Sequence, residues 1–140
     1  MLELFAMTFL RYATVAFLLG ASPSLADDLV ALSTTATAIT GDISFDDFEM
    51  VFENGERIEF EDLIADHFTV DGKDVPASVY SVKAPGNPVL LNGNRLCGES
   101  PVTYLASWLD GDVTMVAVFE TTEAPTRNDS MCALYTYVYP

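Results

Sequence analysis

Alternation of apolar and polar residues with period two, interrupted by Asn-Gly and Asp-Gly pairs, runs through most of this chain and restricts it to short antiparallel strands. The clearest unit spans Ile43 to Asp62. There Phe48, Met50 and Phe52 alternate with Glu49, Val51 and Glu53, and beyond Asn54-Gly55 the residues Ile58 and Phe60 alternate with Arg57, Glu59 and Glu61. A two-residue Asn54-Gly55 loop would set Phe52 opposite Arg57 and Met50 opposite Glu59, placing apolar side chains against charged ones. A three-residue loop, Glu53-Asn54-Gly55, with Gly55 in the left-handed conformation, instead pairs Phe48 with Phe60 and Met50 with Ile58. This register predicts a core face on one side and an acidic face of Glu49, Glu53, Glu59 and Glu61 on the other.

The second hairpin joins Val102–Leu109 to Asp112–Glu120 through Asp110-Gly111. A two-residue type I′ loop at that pair predicts Trp108 opposite Val113, Ala106 opposite Met115, Tyr104 opposite Ala117 and Val102 opposite Phe119. One face is then wholly apolar. The other carries Leu105, Val116 and Val118, too apolar for full exposure, so this hairpin is expected to be covered on both sides. A last strand, Cys132 to Tyr139, pairs antiparallel with the preceding one and presents Tyr135, Tyr137 and Tyr139 on one face, a row read as packing rather than a ligand grip. That pairing brings Cys132 to the end of the sheet that holds Val102, near Cys97, and predicts a structural disulfide Cys97–Cys132. In the chain-entropy account such a bridge contributes about 3–4 kcal/mol.

The remaining elements are weaker. Leu32–Thr40 and Ala77–Lys83 read as strands, as do short pieces at His67–Val70 and Val89–Leu91, while Leu63, Ile64 and Phe68 also fit one or two helical turns over Glu61–Phe68. Pro85, Pro88 and Pro101 make Ala84–Pro101 an irregular connection. The expected fold is all-β: a small antiparallel sandwich or closed barrel of about seven or eight short strands, with one disulfide and at most one short helix after the signal peptide. A barrel of this size fills its interior with side chains.

The N-terminus reads as an export signal of bacterial type. Arg11 precedes an apolar run from Tyr12 to Leu19, Gly20 and Pro23 interrupt it, and Ser24-Leu25-Ala26 offers small residues for cleavage after Ala26. Met1 to Phe9 carry Glu3 and no base, which makes Met7 the more regular start. The expected organisation is a cleaved signal peptide at 1–26 and a single β domain at 27–140, periplasmic or secreted and not membrane-embedded once the signal is removed.

Charge narrows the function classes. The chain carries 21 Asp and Glu against 6 Lys and Arg, for a net charge of −15. Losing Glu3 and Arg11 with the signal leaves that net charge unchanged. Nucleic acid and anionic lipid are therefore excluded as partners, because both require clustered bases. An apolar content of 50% also excludes an acidic disordered tail. His67 is the only imidazole, no nucleophile elbow or Gly-rich phosphate loop occurs, and the cysteines are committed to a bridge, so no catalytic set and no cofactor are expected. No metal is expected either. The acids between Asp42 and Asp74 match no calcium loop and alternate with core residues. The leading expectation is a non-enzymatic binding or inhibitor module for a basic protein or peptide, with Glu49, Glu53, Glu59 and Glu61 as the binding face. The alternative is a carrier holding a small apolar ligand inside a barrel lined by Phe48, Met50, Phe60, Trp108 and Met115.

Overall fold

The computed structural model describes residues 26–140. The expected export signal, up to residue 25, and its start site lie outside them. Eight antiparallel strands form a closed barrel in simple sequence order: β1 Asp27–Ala31, β2 Ile43–Phe45, β3 Glu49–Val51, β4 Arg57–Val70, β5 Lys73–Gly86, β6 Val102–Asp110, β7 Val113–Phe119 and β8 Ala133–Val138. Closure depends on β1, which pairs Asp27, Asp28 and Leu29 with β2 and then turns Val30 and Ala31 to β8. Of the two architectures the sequence allows, this is the barrel.

The first hairpin has the expected register. Met50 faces Ile58, Phe60 N–H donates to the Phe48 carbonyl at 2.8 Å, and Phe52 N–H donates to the Glu56 carbonyl at 2.8 Å across a Glu53-Asn54-Gly55 loop in which Gly55 has φ +92°. The Phe48 side chain nevertheless stays exposed, because it sits at the turn between β2 and β3. The second hairpin differs by two residues. Asp110 pairs with Val113, Trp108 with Met115, Ala106 with Ala117 and Tyr104 with Phe119, around a Gly111-Asp112 loop. Only the first loop residue has positive φ, Gly111 at +63°, which is the arrangement of a type II′ turn with glycine leading. A shift of two preserves the face of every side chain, so the partition of core from surface is unaffected.

Two expected elements are replaced. Leu32–Thr40 is not a strand: Thr34–Ile39 forms a short helix, α1, because the Ser33 hydroxyl accepts from Ala36 N–H at 3.1 Å and caps it. Val89–Leu91 is likewise no strand but leads into a single 3₁₀ turn at Leu91–Gly93. The helical option for Glu61–Phe68 is not used either. That stretch lies within β4, where three register shifts against β5 bend the strand and account for its irregular apolar spacing.

Alternate residues of all eight strands fill the interior, among them Leu29, Ile43, Met50, Ile58, Phe60, Tyr80, Leu105, Val116, Tyr135 and Tyr137, all buried. At the end reached by the start of β8, helix α1 contributes Ala36 and the irregular segment after β5 contributes Leu90 and Leu96 as a plug. Two tyrosines of the expected row are locked there, while the third, Tyr139, is exposed at the other end. The Tyr135 hydroxyl donates to the Leu96 carbonyl at 2.6 Å, and the Tyr137 hydroxyl lies 2.8 Å from Thr40 Oγ1. The Cys97–Cys132 disulfide, with Cα atoms 5.4 Å apart, ties the plug to β8.

The apolar face of the second hairpin is outside the barrel. Beyond the Ser78–Ser107 pair the long β4–β5 hairpin leaves the wall and folds over that face, where Phe68 meets Trp108 and Phe119 at ring-centroid distances of 5.6 and 5.9 Å. Its tip is fastened to the β7–β8 connection: Thr69 N–H donates to the Thr126 carbonyl at 3.0 Å, and Asn128 and Asp71 exchange side-chain and backbone bonds. The barrel is thus covered on both sides of β6 and β7, as the apolar character of both faces requires.

Two outcomes follow for stability. Reduction of the disulfide, or Cys97→Ser with Cys132→Ser, is expected to lower the unfolding free energy by about 3–4 kcal/mol; equal urea midpoints with and without reductant contradict this. Burial pushes the Tyr135 hydroxyl from the ordinary 10.0 up to about 12. Because the folded state holds the proton more tightly, this stabilisation is complete below pH 10 and drains away as pH rises toward about 12. Urea unfolding across that window should show stability falling, with a shallower fall in Tyr135→Phe.

Candidate functional site

A cavity opens at the end of the barrel opposite the plug. The meander dictates its rim: alternate connections return to the same end, so the β2–β3 turn, the Gly111-Asp112 turn, the start of β1 and the residue after β8 all meet there. Its volume is about 840 Å³, within the ~300–1,000 Å³ range of small-ligand sites. Phe45, Tyr80 and Leu29 form its floor, and Phe48, Trp108, Leu109 and Tyr139 line its upper wall together with Ser78, Ser107 and Thr114.

Four aspartates, Asp27, Asp46, Asp47 and Asp66, also line it, and among the described residues no lysine or arginine does. Neutral donors orient three of them. Asp46 Oδ1 accepts from the backbone N–H groups of Phe48 at 2.7 Å and Glu49 at 2.8 Å, which builds the β2–β3 turn. Asp47 Oδ1 accepts from the Tyr80 hydroxyl at 2.7 Å, and Asp27 Oδ2 from the Tyr139 hydroxyl at 3.1 Å. Burial, and then the bond to Asp47, raises the Tyr80 hydroxyl far above its ordinary pKa, so it remains a donor at neutral pH. Asp66 lies 2.9 Å from His67 Nδ1, both side chains being largely exposed. The floor rests on an aromatic cluster: Phe60, in the core beneath, stacks on Tyr80 at 4.3 Å, and Phe45 packs against both at 5.7 and 6.1 Å. Carboxylates held by neutral donors above π-faces attract a cation from two sources at once.

Thr114 supplies a second sign of an occupant. It is 7% exposed, lines the cavity from β7, and its hydroxyl is buried without a hydrogen-bond partner among the described residues. An unpaired buried hydroxyl costs about 1–3 kcal/mol.

The acidic face named from the sequence is arranged differently. Glu49 forms an ion pair with Arg57 at 2.8 Å and lies directly opposite Glu59. Glu53 Oε1 accepts from Asp42 N–H at 3.1 Å, and its side chain occupies the space where Gly41, at φ +65°, would carry a Cβ. Glu59 and Glu61 are exposed. Glu49 and Glu53 are thus engaged within the fold. Of the residues proposed to line an internal ligand site, Met50 and Phe60 do face the interior, where they belong to the packed core. Met115 belongs to the outer cluster, as does Trp108, which also reaches the cavity rim, and Phe48 is exposed there. Cys97, Cys132 and Glu120 come within metal-ligand reach of one another, but the two sulfurs are joined and offer no thiolate.

Sequence reasoning passed over Asp27, Asp46, Asp47, Asp66 and Thr114 as site residues because they belong to different strands and turns, and it read Tyr139, which is exposed at the cavity, as packing. The available signal was topological: in an up-and-down barrel, Asp46-Asp47, Gly111-Asp112 and both chain ends of the domain fall at one end. Comparison with protein-family models, with curated proteins and with solved structures finds no match.

Replacing Thr114 by valine is expected to stabilise the free protein by about 1 kcal/mol, because it removes the unpaired hydroxyl at constant shape. Destabilisation by a similar amount in urea unfolding contradicts this.

Proposed function

We propose that this protein is an exported, non-enzymatic binding module whose open barrel end receives the cationic groups of a basic protein or peptide. The observation that carries the reading is the cavity lined by four aspartates and, among the described residues, no lysine or arginine, floored by aromatic rings. Export is supported by the disulfide and by the signal-like sequence before Asp27. The overall charge of −15 adds long-range attraction, which speeds encounter with a positive partner and is screened by salt. The alternative, an apolar ligand held inside the barrel, draws less support. Met50, Phe60, Leu105, Val116, Tyr135 and Tyr137 already pack the interior beneath the cavity, and the cavity wall carries carboxylates.

Calorimetric titration with a lysine-rich peptide tests this. Binding at low salt is expected to weaken at least tenfold on going to high salt, and Asp46→Asn with Asp47→Asn is expected to weaken it by a similar factor at low salt, with the thermal midpoint little changed. Binding that is indifferent to both salt and these substitutions sinks the proposal, as does no binding at all.

A further inference from the structure

Several strands run past a neighbour at this end of the barrel, β5 before Ser78 and β6 beyond Ser107 among them, and the longest one-sided stretch that borders the cavity belongs to β4. Strand β3 ends against β4 at the Glu49–Glu59 pair and the Phe60-to-Phe48 bond. Strand β4 continues to Val70, yet among the described residues no backbone bond is made on its β3 side until Thr69 reaches Thr126. Glu61 to Phe68 therefore has a neighbour, β5, on one side only. Along this stretch Leu63 and Ile64 are 55% and 40% exposed, Glu61, Asp62 and Asp66 are acidic, and Asp66 lies in the cavity wall. Across the gap stands the Asp46–Phe48 turn, which lines the same cavity. The cavity is thus open at the side as well as at the top.

We propose that a basic peptide binds here in extended form, adding a strand to the β4 edge between Glu61 and Phe68 and directing one side chain into the cavity toward Thr114. This inference rests on the cationic reading of the cavity and specifies how the partner is held. The edge supplies backbone donors and acceptors that fix the peptide's direction, while alternate side chains point inward and outward as in any strand. Inward residues meet Asp46, Asp47 and the aromatic floor, and outward residues meet Leu63 or Ile64. A peptide alternating lysine with an apolar residue satisfies both rows. The bulges and acids of β4 serve a second purpose: they repel the edge of another copy of this acidic chain while admitting a basic strand.

The test uses the mature protein and two synthetic peptides of alternating Lys and Val, one unmodified and one N-methylated at every second backbone amide, prepared in both phases. Affinity is measured by calorimetry, and amide hydrogen exchange is followed along β4. The expected result is binding of the unmodified peptide with slowed exchange within Glu61–Phe68, and at least a tenfold loss of affinity for one N-methylated phase but not the other. Equal affinity for all the peptides with no protection of β4 overturns strand addition while leaving the cationic cavity intact. Failure of the unmodified peptide to bind, with free lysine methyl ester also failing at low salt, overturns the cavity reading and this inference with it. Protection on β4 that persists in the Asp46→Asn, Asp47→Asn variant with undiminished affinity overturns the role given to the cavity carboxylates.

Discussion

Strand β1 gives Asp27, Asp28 and Leu29 to β2 and Val30 and Ala31 to β8, and that division of five residues closes the sheet. Everything else in the molecule depends on the closure. Eight strands enclose an interior just wide enough for side chains, so the tyrosines of β8 have no place except inside, with their hydroxyls bonded to Leu96 and Thr40. Those bonds and the disulfide hold the plug at one end. Because the plug occupies only that end, the other is left with a floor of aromatic rings and a rim where four aspartates from three separate segments, the start of β1, the β2–β3 turn and β4, converge.

Much of the architecture was legible in the alternation itself. The Glu53-Asn54-Gly55 loop follows from the mismatch that a two-residue loop would force, and the Cys97–Cys132 bridge follows from which end of the sheet each cysteine must reach. The second hairpin shows the limit of the method. Asp110-Gly111 and Gly111-Asp112 both satisfy turn chemistry, the two registers differ by two residues, and hydrophobic pattern is blind to an even shift. The helix at Thr34–Ile39 was hidden by residues of poor helix propensity, Thr34, Thr35 and Thr37, and is held by the Ser33 cap and by Ala36 packed in the plug. Strand β4 resisted reading because its bulges break the period on which the reading depends. The site was harder still. A residue such as Asp46 looks like any turn aspartate until the topology sets it beside Asp27 and Asp66.

The charge of this protein is better described by its compensation than by its total. Glu49 has Arg57, Glu53 supports the Gly41–Asp42 backbone, and Arg127 lies 3.8 Å from Asp129. Three of the cavity aspartates, Asp27, Asp46 and Asp47, instead rely on neutral donors, the Tyr80 and Tyr139 hydroxyls and the backbone of the β2–β3 turn. Such donors orient a carboxylate without cancelling its charge. The same residues that complete the fold at this end therefore present an oriented anionic rim over π-faces, and the account of function is a consequence of that economy.

The most direct test is to map where a basic peptide lands. Backbone amide shifts of isotope-labelled protein spanning residues 27–140, followed by NMR during titration with a lysine-rich peptide at low salt, locate the contact without assuming its chemistry. The account predicts saturable changes concentrated at Asp46–Phe48, Glu61–Phe68, Thr114 and Tyr139. Changes confined to Glu49, Glu53 and Glu59 on the outer wall, or spread evenly over the acidic surface, would contradict it.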